Sequence, residues 1–166
     1  TELGRIFRKY FVPKSDDYVL IDADYSQIEL RILAHISGDE NMISAFLSGE
    51  DIHPMTASRV FEVPPEAVTP ELRKRAKAVN FGIIYGIGAF SLSKDINVSV
   101  AEAKKYIENY LKNFPNVEKF MNDTVDFGLK NGYVTTIFGR RRYIEELSGR
   151  NKRLQSFGER VAILVA

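Results

Sequence analysis

The chain has 166 residues, 45% apolar, 27% charged and 11% aromatic, the composition of a globular domain and too apolar for a disordered tail. It has no cysteine and two histidines, which excludes disulfide scaffolds, Cys-ligated zinc, thiol nucleophiles and His-rich metal sites. The net charge of +1 conceals opposed regions: +3 over residues 1–15, −9 over 16–68, +3 over 69–95, zero over 96–138 and +4 over 139–166.

Separate basic surfaces suit a polyanion, and an acidic one beside them suits a divalent metal; ordinary solvated helix faces are the bland alternative. No apolar run approaches the roughly 18 residues of a membrane helix, and Thr1 to Phe11 lacks the apolar stretch of a signal peptide. The expectation is a cytoplasmic protein with no membrane contact.

Tyr18-Val-Leu-Ile-Asp-Ala-Asp24 is a short apolar run of strand formers, so a buried strand is expected over about 18–23. Ser26 stands three residues before Glu29, the spacing of a capping box, and predicts a helix starting at Ser26 or Gln27. Helices follow at about 39–48, closed by Gly49, and at 52–61 after Asp51. Val63-Pro-Pro65 must break the chain. Thr69-Pro70 opens a helix to about 86, with Glu71 at the positive end of its dipole.

Ser99-Val-Ala-Glu102 is a second capping box, opening a helix to about 113. Pro115 starts another that Gly132 ends. Tyr133 to Phe138, a turn at Gly139 and Arg141 to Ile144 read as a hairpin, and a last helix runs from about 150. The class is α+β and mostly helical, with one short strand and one small β-hairpin.

The helix at 70–86 carries an unusual face. At 100° per residue, Arg73, Lys77, Asn80, Phe81, Ile84 and Tyr85 fall within about 140° of arc. Leu72, Ala76, Val79 and Ile83 form the stripe a core needs. Two cations one turn apart, with an aromatic ring one turn further, fit a phosphate chain whose base stacks on the ring. The alternative is a second subdomain packed over Phe81 and Tyr85. Gly82, Gly86 and Gly88 mark a close approach or a helix end, and with no strand before them they do not form a dinucleotide motif. Asp24, between strand and helix, is a mount for Mg²⁺ or else a helix cap.

These residues resemble the polymerase motifs of family A DNA polymerases. Asp24-Tyr-Ser-Gln-Ile-Glu-Leu-Arg31 matches the first motif and Arg73-x3-Lys77-x3-Phe81-x3-Tyr85-Gly86 the second. Asp51-Ile-His53 and Phe138-Gly-Arg-Arg-Arg-Tyr143 extend the likeness over nearly the whole chain. The resemblance implies that Asp24 ligates both catalytic Mg²⁺ ions with help from the backbone carbonyl of Tyr25. It implies that Arg73 and Lys77 bind the triphosphate and neutralise the leaving charge, with Phe81 stacking on the incoming dNTP. Glu29 would be the steric gate against a ribose 2′-hydroxyl, and Gln27 and His53 further nucleotide-pocket positions. Tyr85 and Gly86 would lie by the template, and Arg160 would contact primer or template DNA.

On the same basis residues 1–36 are a palm-derived segment, 37–150 the fingers subdomain and 151–166 the start of a helix returning to the palm. The family's second catalytic aspartate, in a His-Asp dipeptide, has no counterpart in these 166 residues, nor has the thumb. Ile163-Leu-Val-Ala166 departs from the family pattern. The expectation is a bacterial, nucleoid-associated polymerase fragment that needs primer-template DNA and the remaining palm and thumb as partners, and that is inactive alone because one carboxylate cannot organise two metals. A single-subunit RNA polymerase shares the second motif, but Glu29 argues against it. A non-catalytic nucleotide or nucleic-acid-binding module is the competing class.

Overall fold

A computed structural model describes residues 2–166. Its helices are α1 Glu2–Arg8, α2 Ile28–Ser37, α3 Glu40–Leu47, α4 Ile52–Phe61, α5 Pro70–Ile84, α6 Ala89–Asp95, α7 Val100–Asn113, α8 Pro115–Asn131 and α9 Lys152–Val165. Strands β1 Tyr133–Thr135 and β2 Arg141–Tyr143 pair antiparallel, with Val134 opposite Arg142.

The caps explain the boundaries. Ser99 accepts a hydrogen bond from the Glu102 amide at 3.2 Å while the Glu102 carboxylate accepts one from the Ser99 amide at 2.9 Å, so the second capping box forms as expected. Asp39 caps two helices at once. One carboxylate oxygen accepts from Met42 N in the first turn of α3, and the other accepts from Asn116 N in the first turn of α8, where no local side chain caps the helix. Asp39 is 1% exposed, so this double cap fixes the α3 and α8 termini against each other inside the fold.

The helices α2 to α8 share one hydrophobic core, to which Leu30, Met42, Ile52, Val79, Leu92, Tyr110 and Val117 contribute one from each. A second, smaller core joins the hairpin to α9 through Val134, Ile144, Leu147 and Ala162.

Two local expectations are corrected. Residues 18–23 form no strand: the segment makes no ladder, and Val19, Leu20 and Ile21 are 78%, 59% and 86% exposed. Strand propensity alone does not hold a strand, because its backbone groups need a neighbouring edge, and no described element supplies one. The first capping box also fails to form. Gln27 takes the N-cap position of α2 in a left-handed conformation, φ 54°, and its side chain turns to Asp51 rather than back to its own helix. A tertiary bond has displaced the local cap. Helices α1 and α6 have no counterpart in the sequence reading.

Candidate functional site

Helix α5 starts as its sequence dictates, with Thr69 Oγ1 accepting from Leu72 N and Pro70 in the first turn. Ala76, Val79 and Ile83 are buried and Leu72 is half-buried, while Arg73, Lys77 and Tyr85 are exposed and Phe81 and Ile84 half-buried. The two faces are those the 3.6-residue period assigns, with one exception. Asn80 is fully buried between α5 and α4, where its amide bonds to His53 and Thr56.

The glycines after this face close the helix. Gly86, at φ +65°, donates to Ile83 O, and Ile87 N donates to Gly82 O at 2.8 Å, the paired bonds of a Schellman cap. Ile87 folds over Gly82 so closely that a Cβ there would lie 2.6 Å from its Cγ2, and a Cβ on Gly86 would lie 2.6 Å from Arg160 Cγ. Chain closure and the seat of Arg160 account for these two glycines.

Eight residues singled out from the sequence meet in one cleft of about 300 Å³: Asp24, Tyr25, Gln27, Glu29, His53, Arg73, Lys77 and Phe81. The other three, Tyr85, Gly86 and Arg160, line an adjoining cleft of about 550 Å³ that shares Phe81 as a wall. The Phe81 and Tyr85 rings lie nearly parallel, 20° apart with centroids at 6.4 Å, and Lys77 Nζ sits 5.8 Å from the Phe81 centroid. The His53 ring lies near Phe81 as well, with centroids at 6.0 Å and planes tilted by 46°.

Asp51 ties the cleft together, a role the sequence reading missed because its place before α4 is already explained by capping. Its Oδ1 accepts from His53 N at 3.0 Å and from Gln27 Nε2 at 3.1 Å, and its Oδ2 accepts from both Nε, at 2.9 Å, and Nη2 of Arg73. Partial burial pushes the Asp51 carboxyl upward, but hydrogen bonds from Arg73, the His53 amide and Gln27 outweigh it and hold the group below its ordinary value. His53 is shifted down as well: burial disfavours its imidazolium, Asp51 opposes that, and Arg73 and Lys77 add to it. At pH 7 the His53 imidazole is therefore neutral, in a cleft that it shares with Arg73 and Lys77 and with the carboxyl side chains of Asp24 and Glu29.

Asp24 and Tyr25 reach the cleft from an exposed segment outside either core. Among the described residues no three His, Cys, Asp or Glu side chains are grouped to enclose a metal ion. The Asp24 carboxylate in the cleft wall is an oxygen donor of the kind a hard cation takes, in a setting that offers no cage of protein ligands.

The sequence profile of DNA polymerase family A matches residues 1–165. The chain is 51% identical over 160 residues to DNA polymerase I of Caldicellulosiruptor bescii, which covers 96% of the chain and 19% of that protein. It is 49% identical over 162 residues to the thermostable DNA polymerase I of Thermus thermophilus, covering 98% of the chain and 19% of that protein. The chain thus spans about a fifth of the length of these relatives. The fold is similar to the POL domain of Pol1 from M. smegmatis in complex with DNA primer-template and dNTP, with a TM-score of 0.78 and 46% identity over 84% of this chain and 25% of that one. No described helix is long and apolar enough to cross a membrane.

Proposed function

The chain belongs to DNA polymerase family A, and on that premise we propose that it supplies the nucleotide-binding face and one metal-binding carboxylate for template-directed DNA synthesis. The observation that carries this reading is the convergence of Arg73, Lys77, Phe81, His53, Glu29 and Asp24 on one cleft from three helices and a loop.

Each residue then has a task that its chemistry suits. Arg73 and Lys77, one turn apart and exposed, grip the triphosphate of a dNTP and offset the charge that builds on pyrophosphate as the primer 3′-hydroxyl displaces it. Phe81 offers its ring to the base or sugar, and Glu29, on the first turn of α2, walls the cleft where a ribose 2′-hydroxyl would enter. Gln27 and His53 contribute further polar contacts. A divalent ion, on which this family depends, would be held by Asp24 and the Tyr25 carbonyl and would supply electrostatic stabilisation of the phosphate oxygens. Tyr85, Gly86 and Arg160, in the adjoining cleft, face the template side of a primer-template duplex. Base pairing carries the sequence, so shape and phosphate contacts suffice for the protein.

The complete activity draws on partners beyond these residues: the DNA, and the remaining palm and thumb of the polymerase. Residues 1–36 serve as the palm-derived segment, 37–150 as the fingers and 151–166 as the return toward the palm. Alone, the chain binds nucleotide without turning it over. The test is a fluorescence-anisotropy titration of a labelled dNTP with Mg²⁺. The wild-type chain saturates, and Lys77→Ala loses about 1.5 to 3 kcal/mol, the range of a charge-assisted hydrogen bond. Absence of saturable binding, or equal binding by the variant, contradicts the proposal.

A further inference from the structure

His53 is 2% exposed, and its ring is held by a chain of two buried polar side chains on the side away from the cleft. Asn80 Nδ2 lies 3.0 Å from His53 Nδ1, and Thr56 Oγ1 donates to Asn80 Oδ1 at 3.1 Å; Asn80 and Thr56 are both 0% exposed. With the amide oxygen on Thr56 Oγ1, the amide NH₂ faces the ring. A donor facing Nδ1 requires Nδ1 to be the unprotonated nitrogen, which leaves the single proton of a neutral imidazole on Nε2. The other ring nitrogen, Nε2, makes no hydrogen bond within the described residues, and the His53 ring lines the cleft. Nε2 is the ring atom left to meet whatever fills the cleft.

We propose that Asn80, braced by Thr56, is a positioning residue that fixes His53 as the neutral Nε2–H tautomer, so that the cleft receives a directed hydrogen-bond donor for an anionic oxygen. The proposal deepens the nucleotide-binding reading and rests on it only for the identity of the acceptor. The arrangement suits a site that already contains Arg73 and Lys77. A third full charge at His53 would be costly beside them. A neutral donor still contributes a hydrogen bond to phosphate without one. It also explains why a polar residue occupies a fully buried position of α5, where the helix period predicts a place on the ligand face. The charged groups around the ring are Asp51 on the α4 side and Arg73 and Lys77 on α5, and none of them reaches Nδ1.

The chain has two histidines and His35 is exposed, so its imidazole resonances separate readily. The experiment is long-range ¹H–¹⁵N correlation of the uniformly labelled full chain at pH 7, followed as the pH is lowered. The expected result is an unprotonated Nδ1 and a protonated Nε2 for His53, with ordinary tautomer averaging for His35. Asn80→Asp places an acceptor at Nδ1 with almost no change of shape, and it should move the proton to Nδ1 or give an imidazolium at pH 7. Thr56→Val, which keeps the volume and frees the amide, should give a mixture of tautomers. An Nδ1–H tautomer or an imidazolium in the wild type overturns the inference, as does an Asn80→Asp spectrum identical to wild type in a folded protein. A labelled dNTP titrated into the same samples separates the two claims: no binding by a wild type with the expected tautomer refutes the nucleotide assignment alone. If both hold, Asn80→Asp binds at least about tenfold more weakly where its proton has moved to Nδ1, and keeps its binding where the ring is an imidazolium that still carries Nε2–H.

Discussion

The two halves of the cleft are built differently. Arg73, Lys77, Phe81 and His53 project from α4 and α5, whose buried faces belong to a core shared by seven helices. Asp24 and Tyr25 project from a segment in which every residue from Leu3 to Ser26 is exposed, including Phe7, Tyr10, Phe11 and the apolar run Tyr18 to Ile21. The hydrogen bonds of that segment are local, such as Tyr10 N to Phe7 O and Tyr18 N to Ser15 O. The half that carries Arg73, Lys77, Phe81 and His53 is positioned by the chain's own packing, and the half that carries Asp24 and Tyr25 is not.

Core truncation gives the largest contrast. Leu30→Ala in α2 should cost about 3 kcal/mol, whereas Ile21→Ala, an apolar truncation of similar size in the exposed run, should change stability by no more than about 0.5 kcal/mol. Urea unfolding of the two variants decides it, and comparable losses would break the contrast. Next, Asp39→Ala removes caps from two helices and leaves buried amides unpaired, at a cost of about 2 kcal/mol in the same measurement.

Acid sharpens the comparison further. His53 has a pKa in the fold below its ordinary 6.5, so the unfolded chain takes up the proton first and stability is lost as pH falls below 6.5. Asp51, also shifted down, contributes stability that is present above its ordinary 3.8 and lost as pH falls through its lower folded value. Stability measured against pH should therefore decline in two stages, and Asp51→Asn should shrink the lower one, to which Glu62 and Glu102, also shifted down, contribute as well. The smallest effect belongs to Tyr110, whose buried hydroxyl has no hydrogen-bond partner among the described residues and whose ionisation is pushed upward by burial and by Asp39. Tyr110→Phe should be neutral or stabilising by up to about 1 kcal/mol in thermal unfolding.

Much of this was legible in the residues. Hydrophobic period, Pro70, Pro115 and the Ser99 capping box set helices α3 to α5 and α7 to α9 to within a few residues, because those signals act within one turn of chain. The division of α5 into a buried stripe and an exposed face with Arg73, Lys77 and Tyr85 was legible for the same reason. Three features were not, and each depends on a distant partner. Residues 18–23 have strand composition but no edge to pair with. Gln27 leaves its expected local cap for Asp51, 24 residues away. Asn80 turns into the core because His53 and Thr56 wait on α4. Asp51 itself was hidden behind its more obvious role as a cap.

The difference between the two halves is measured most directly by native-state hydrogen exchange of the whole chain. Amides in the middle of α4 and α5 should exchange only through global unfolding, with protection matching the urea-derived stability, while those of residues 18–25 should exchange at nearly unprotected rates. Protection of residues 18–25 equal to that of α5 would contradict that difference, since Asp24 would then be held as firmly as Arg73 and Lys77.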